Sequence, residues 1–397
     1  MCVCQFWREI AKATPQLWTH LHICHPHQFS HPAGVRKWLN KSGECPLDVV
    51  LKIPLGVTEL QPTLALLHGH VRRFRMLNIE VPTPGIADTI LSSISLSGGK
   101  CNGNPAPLLE ELYIAIDDMS DSPADEDQQY FEHAFYPSPR LWKLTTSPLR
   151  MPAPSSKLLS TIADLKIVSG PNDQVTPIEE ALDTIAAIPH LKYIKYSGYH
   201  IFSFQASHSL DYPRVEVLPY LEEGDVTVPG CGLDILQCLE APSLRSVRLD
   251  GSREDGCGEE WDDEGITDVS ASLKRLPQRA PCIQRLDLHC IEELQASTYK
   301  WLFSQTDFAH LEELRIEGST MTDEAFIQSS SHGPCLRRLE LIDCEDITGN
   351  GLIAYIEAMQ RSGYARDFSL FVSGCPGVED KDLAQLSSLV TVEVPDD

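Results

Sequence analysis

The sequence predicts an α/β chain of repeated strand-and-helix units, forming a curved parallel sheet with outer helices. Two observations carry that expectation. A hexad with leucine-like residues at its first, fourth and sixth places recurs along most of the 397 residues. Between several copies lie segments with helical periodicity and helix start and stop signals. The hydrophobic fraction, 42%, is that of an ordinary globular protein, so disorder throughout is excluded.

At the N-terminus, Val3, Phe6, Trp7, Ile10 and Ala11 fall at i, i+3, i+4, i+7 and i+8, one apolar face of a short helix. Thr14-Pro15 ends it, because the residue before proline is pushed out of the helical region. So short a helix is marginal alone and must dock against something. The residues that follow include His20, His22, Cys24, His25, His27 and His31, without the paired spacing that zinc requires. His20 and His22 alternate with Leu21 and Ile23 as on the exposed side of a strand, and Pro26 and Pro32 mark the rest as loop, so a solvated connector is expected.

The hexads run Leu109–Ile114, Ile162–Ile167, Leu191–Tyr196, Leu244–Leu249, Ile283–Leu288, Leu311–Ile316, Leu336–Leu341 and Leu389–Val394. Weaker copies are Phe74–Ile79, Leu141–Leu144, Val215–Leu218 and Phe368–Leu370. From Ile283 onward they begin 28 and then 25 residues apart, close to the 20 to 29 residues of leucine-rich repeats, and upstream the spacing loosens. One strand and one helix cannot bury an apolar stripe alone, whereas stacked copies share a continuous core. Thr176-Pro177-Ile178-Glu179 reads as a capping box opening a helix, and a second helix follows Thr348 and stops at Gly363. Leu336, Leu339, Leu341, Cys344, Ile347, Gly351 and Leu352 resemble the cysteine-containing class of leucine-rich repeat, and Cys375–Val378 repeats its second half.

The N-terminal pattern, Val3, Phe6, Trp7, Ile10, Ala11, Thr14, Pro15, Leu17 and Trp18, resembles the second half of an F-box. The stretch from Leu21 to Leu47 is similar to the connector between F-box and repeats in fungal F-box leucine-rich-repeat proteins, the substrate-selecting subunits of Skp–cullin–F-box ubiquitin ligases. The resemblance implies a Skp-type adaptor as partner and a protein substrate held on the repeats. It implies Val3, Phe6, Trp7 and Ile10 in the last F-box helix, with Leu17 and Trp18 anchoring that helix to the repeats. The earlier Leu-Pro stretch and helices of a complete F-box have no counterpart here, which leaves a free-standing protein-binding scaffold or inhibitor as the alternative. The expected organisation is a helical segment at 1–23, a connector at 24–45, and an irregular repeat array at 46–397. Acidic insertions fall near 117–132 and 252–264, where Trp261 is an aromatic that could anchor a basic partner.

With 32 Lys and Arg against 57 Asp and Glu, the formal charge is −25, which argues against nucleic acid and for a basic partner. No window reads as a membrane span, and a cytoplasmic or nuclear protein is expected. The 13 cysteines, an odd number spread along the chain, read as reduced thiols rather than a disulfide framework. No nucleophile elbow, zinc-protease helix or phosphate-binding glycine loop is present, so neither catalytic residues nor a cofactor or metal are expected. The side chains between the buried leucines should instead form a partner-binding concave face. These are Glu111, Tyr113, Tyr193, Lys195, Arg248, Asp250, Arg285, Asp287, His289, Glu313, Arg315, Glu317, Arg338 and Glu340. Their signs alternate between neighbouring repeats, so pairs such as Asp287 with Arg315 and Arg315 with Glu340 are expected to satisfy each other.

Overall fold

The computed structural model describes residues 5–57, 59–95, 104–116, 134–147, 151–168, 178–197, 215–227, 232–252, 269–291, 294–304, 308–326, 336–361, 363 and 367–393. Val3, the acidic residues of both insertions with Trp261, and the cap Thr176-Pro177 lie outside them. The chain divides into two compact units, Met1–Leu191 and Lys192–Asp397, each an α/β leucine-rich-repeat solenoid with a parallel sheet.

In the first unit, β1 (His20–Ile23), β2 (Leu47–Lys52), β3 (Phe74–Val81), β4 (Glu111–Ile116), β5 (Lys143–Thr146) and β6 (Asp164–Val168) pair in chain order, all parallel. Its helices are α1 (Gln5–Ala13), α2 (Pro26–Ser30), α3 (Ala33–Lys41), α4 (Gln61–His68), α5 (Pro84–Ser95) and α6 (Ile178–Ala186). Leu77, Leu112, Leu144 and Leu165 stand opposite one another from β3 to β6, and all four are buried. Burying each such side chain contributes roughly 1.5–3 kcal/mol, and α5 packs beside β3 and β4 to complete the burial.

The connector differs from the loop expected at Pro26 and Pro32. Pro26 opens α2 at its first helical position and Pro32 is the N-cap of α3, because proline's fixed φ and missing N–H suit a helix's first turn. Gln28 Oε1 accepts the backbone N–H groups of Cys24 and His25 at 3.0 and 2.9 Å, closing a capping box on α2. The parallel sheet begins at His20, with His20 and His22 exposed and Leu21 and Ile23 buried as their alternation predicts, and β1 pairs with β2 in register, Leu21 beside Val49.

In the second unit, β7 (Tyr193–Ser197), β9 (Glu223–Thr227), β11 (Ser246–Asp250), β12 (Arg285–His289), β13 (Glu313–Glu317), β14 (Arg338–Ile342), β15 (Ser369–Ser373) and β16 (Thr391–Glu393) form the parallel sheet. Val247, Leu286, Leu314, Leu339, Leu370 and Val392 run in register across β11 to β16. The helices are α7 (Gly232–Gln237), α8 (Val269–Arg279), α9 (Ala296–Ser304), α10 (Gly349–Arg361) and α11 (Asp380–Leu389). Val215–Leu218, expected as a weak hexad, instead supplies β8 (Glu216–Val217), which pairs with β10 (Leu239–Glu240) in a separate two-stranded sheet. The rung at that place is β9, where Gly224 stands in line with the leucines. A Cβ on Gly224 would meet Leu236, Leu244 and Ile194 at 3.8–4.0 Å, so neighbouring side chains fill the space that a leucine would take.

Each strand from β12 to β15 ends in a left-handed residue: Cys290, Gly318, Asp343 and Gly374 have φ of 51°, 60°, 50° and 64°. The Cys290, Gly318 and Asp343 N–H groups donate to Glu317, Ile342 and Ser373 carbonyls at 2.7, 2.9 and 2.9 Å, so hydrogen bonding continues past the strand ends.

Candidate functional site

Alternation along each strand turns the residues between buried leucines to the opposite, polar side of the sheet. In the second unit the middle row of that side is Lys195, Asp225, Arg248, Asp287, Arg315, Glu340 and Phe371, aligned residue against residue from β7 to β15. The charge changes sign at every step until Phe371. Lys195 Nζ is 3.2 Å from Asp225 Oδ2. Arg315 lies 3.8 Å from Asp287 through Nε and 3.8 Å from Glu340 through Nη1, the two cross-strand pairs that the sequence predicts. Pairs this open contribute at most about 1 kcal/mol each.

Shorter contacts run along single strands. Arg315 Nη2 donates to Glu317 at 2.5 Å, and Arg338 Nε to Glu340 at 2.6 Å. Arg338 Nη2 also reaches Glu393 of β16 at 2.8 Å, where the intervening strand presents the small Ser369 beside Arg338. In the first row, Tyr193 stands beside Glu223, and Arg285 lies 3.8 Å from Glu313.

The last row sets His289 between two carboxylates, with Nδ1 3.0 Å from Asp250 and Nε2 3.3 Å from Glu317. Burial pulls the Asp250 carboxyl upward. Hydrogen bonds from the Ser252 hydroxyl and N–H, at 2.6 and 3.0 Å, and from His289 outweigh it and hold the group below its ordinary value. Asp287 shifts the other way. It is 7% exposed, and burial raises its carboxyl despite Arg315, Arg248 and Arg285. Its Oδ1 accepts no hydrogen bond among the described residues, nor does the Nε of Arg248 or Arg315 donate one.

In the first unit, Glu111 accepts from Lys143 at 2.9 Å and Tyr113 stands between Asn78 and Thr145. The expected adaptor residues divide. Trp18 packs edge-on against Trp38 at 4.9 Å beneath the Lys41 ammonium, and its Nε1 donates to Ala11 O at 2.6 Å, which ties α1 down. Ile10 is half-buried, whereas Phe6 and Trp7 are 69% and 61% exposed. Leu17, expected to anchor beside Trp18, is 58% exposed, because its short 3₁₀ turn, Pro15–Trp18, buries none of its residues.

Sequence reasoning missed Asp225, Ile342, Phe371 and Glu393 on the polar side. The signals were the residue after Gly224, the residue after the hexad Leu336–Leu341, the residue after the truncated copy Phe368–Leu370, and the fifth place of the last hexad. Of the expected histidine cluster, His20 pairs with Asp48 at 3.1 Å and His25 stacks on His27. Among the described residues, no group of three or more His, Cys, Asp or Glu is placed to hold a metal ion, and no helix is long and apolar enough to cross a membrane.

No family model and no curated protein matches the chain. Among solved structures, it is similar to a Bacteroides fragilis protein at 15% identity and a TM-score of 0.38, covering 77% of this chain and 69% of that one. It is also similar to a chain of the yeast Rad7–Elc1 complex at 12% identity and a TM-score of 0.38, covering 98% and 94%.

Proposed function

We propose that the chain is a non-catalytic substrate-recognition subunit of an F-box-type ubiquitin ligase, with α1 contacting a Skp-type adaptor and the polar side of the strands holding a target protein. The observation that carries this reading is the pair Phe6 and Trp7, two large aromatics exposed on a nine-residue helix that is anchored from its other end by Trp18. Two adjacent exposed aromatics on one short helix mark a contact surface, and they occupy places matching the F-box-like pattern. The alternating charges of the second unit supply orientation and partner choice more than affinity.

Calorimetric titration with purified Skp adaptor tests the reading. Micromolar binding is expected, reduced at least tenfold in Phe6→Ser/Trp7→Ser. A folded chain that fails to bind leaves the second reading, a free-standing acidic scaffold, whereas equal binding without those aromatics would overturn α1 as the contact. The net charge of −25 favours that alternative, since an acidic surface draws a basic protein.

A further inference from the structure

Two acceptors on the polar side of the second unit retain bonding capacity. Asp287 Oδ1 is buried and accepts no hydrogen bond among the described residues, with Arg315 Nε no closer than 3.8 Å. Glu340 accepts Arg338 through Oε1, while its Oε2 faces Arg315 Nη1 at 3.8 Å. The short hydrogen bond of Arg315 goes to Glu317 instead, so Arg315 can stay on Glu317 while another donor takes its loose contacts. A carboxylate left short of donors matches an arriving guanidinium or ammonium.

An apolar spot adjoins these acceptors. Phe371 is the register partner of Glu340, Ile342 lies two residues after Glu340 on the same side of β14, and both are half-buried. Glu317 is Ile342's neighbour in β13 and Glu393 is Phe371's neighbour in β16. Glu317, Glu340 and Glu393 around this spot outnumber Arg315 and Arg338, the two guanidiniums that pair with them, so a cation is drawn there in preference to an anion.

We propose that β12 to β16 bind a basic protein segment carrying an apolar side chain, with an arginine or lysine at Asp287 and Glu340 and the apolar group on Phe371 and Ile342. The inference rests on the polar side being a protein-binding face, and it names the chemistry of the occupant.

The test uses the full chain and three fluorescein-labelled twelve-residue peptides, composed of arginine and leucine, arginine and serine, or glutamate and leucine, read by anisotropy. The arginine/leucine peptide should bind about tenfold tighter than the arginine/serine peptide, and Phe371→Ala should abolish that difference. Glu340→Lys should weaken both by about tenfold, and the milder Glu340→Gln by about threefold. Glu357→Lys, on the exposed side of α10, should change nothing. Equal loss in Glu357→Lys and Glu340→Lys would reduce the attraction to diffuse charge and overturn the proposal. Phe371-dependent binding of the glutamate/leucine peptide would overturn the basic occupant and leave the face standing. Binding of none of the peptides by a chain whose circular dichroism is intact would remove both.

Discussion

Asp323 caps the helix of the following repeat by holding Thr348: its Oδ1 accepts the Thr348 N–H at 2.9 Å and its Oδ2 the Thr348 hydroxyl at 2.6 Å. Gly351 makes this possible, because a Cβ there would lie 2.2 Å from Asp323 Oδ1. The glycine that marks the C-terminal repeat in the sequence is thus a spacing requirement imposed from outside its own helix.

A sign reversal follows. Glycine to alanine inside a helix ordinarily stabilises by about 1 kcal/mol, but Gly351→Ala should destabilise, because the methyl group displaces the capping carboxylate. Asp323→Ala should cost about 1–2 kcal/mol. In the double variant the Gly351→Ala change should become favourable, as urea unfolding of the four proteins would show.

The left-handed steps that end β12 to β15 predict a second effect. Gly374 has φ 64°, and an added Cβ would meet Asp343 Oδ1. Gly374→Ala should lose about 1–3 kcal/mol, read as a lower urea midpoint with an unchanged m-value. An unaltered midpoint would contradict the assigned conformation.

Two buried tyrosines should respond oppositely to loss of the hydroxyl. Tyr299 exchanges a 2.7 Å hydrogen bond with Ser319. Tyr355 packs among Phe303 and Phe326 with its hydroxyl lacking a partner among the described residues. Tyr299→Phe should therefore cost about 1 kcal/mol, while Tyr355→Phe should be neutral or stabilising by up to about 1 kcal/mol. Thermal melts of the pair decide it.

Acid stability should separate Asp250 from Asp287. The Asp250 carboxyl sits below its ordinary value of 3.8, so its contribution is present above that pH and is lost as pH falls through the native value. Asp250→Asn should lower stability at pH 7 and remove part of the acid-side loss. The Asp287 carboxyl sits above 3.8, so ionising it opposes folding above its native value, and the cost fades as the pH falls to the ordinary value. Asp287→Asn should be stabilising at pH 7, with the gain disappearing in acid. Unfolding free energies of both variants from pH 3 to 7 check the opposite slopes.

What the sequence makes legible is what burial repeats at a fixed offset. The Leu286, Leu314 and Leu339 rung follows from hydrophobic pattern alone, and from it the Asp287–Arg315 and Arg315–Glu340 contacts. β1 is legible only as alternation, because Leu21 and Ile23 alone carry its pattern among histidines. β9 is hidden because Gly224 leaves a place for side chains from other elements. Cys290 gives no turn signal and Asp343 only the weak one of a short polar side chain that tolerates the left-handed region, yet their φ values match those of Gly318 and Gly374. The Arg338–Glu393 pair skips a strand and joins residues 55 apart, beyond the reach of any nearest-repeat argument.

The claim that one chain joins an adaptor to a target is tested most directly by sedimenting it with purified Skp adaptor and the labelled arginine/leucine peptide together. The expected result is a single species carrying both. Phe6→Ser/Trp7→Ser should release only the adaptor, and Glu340→Lys only the peptide. Mutual exclusion of adaptor and peptide, or loss of both with either change in a folded chain, would contradict the account.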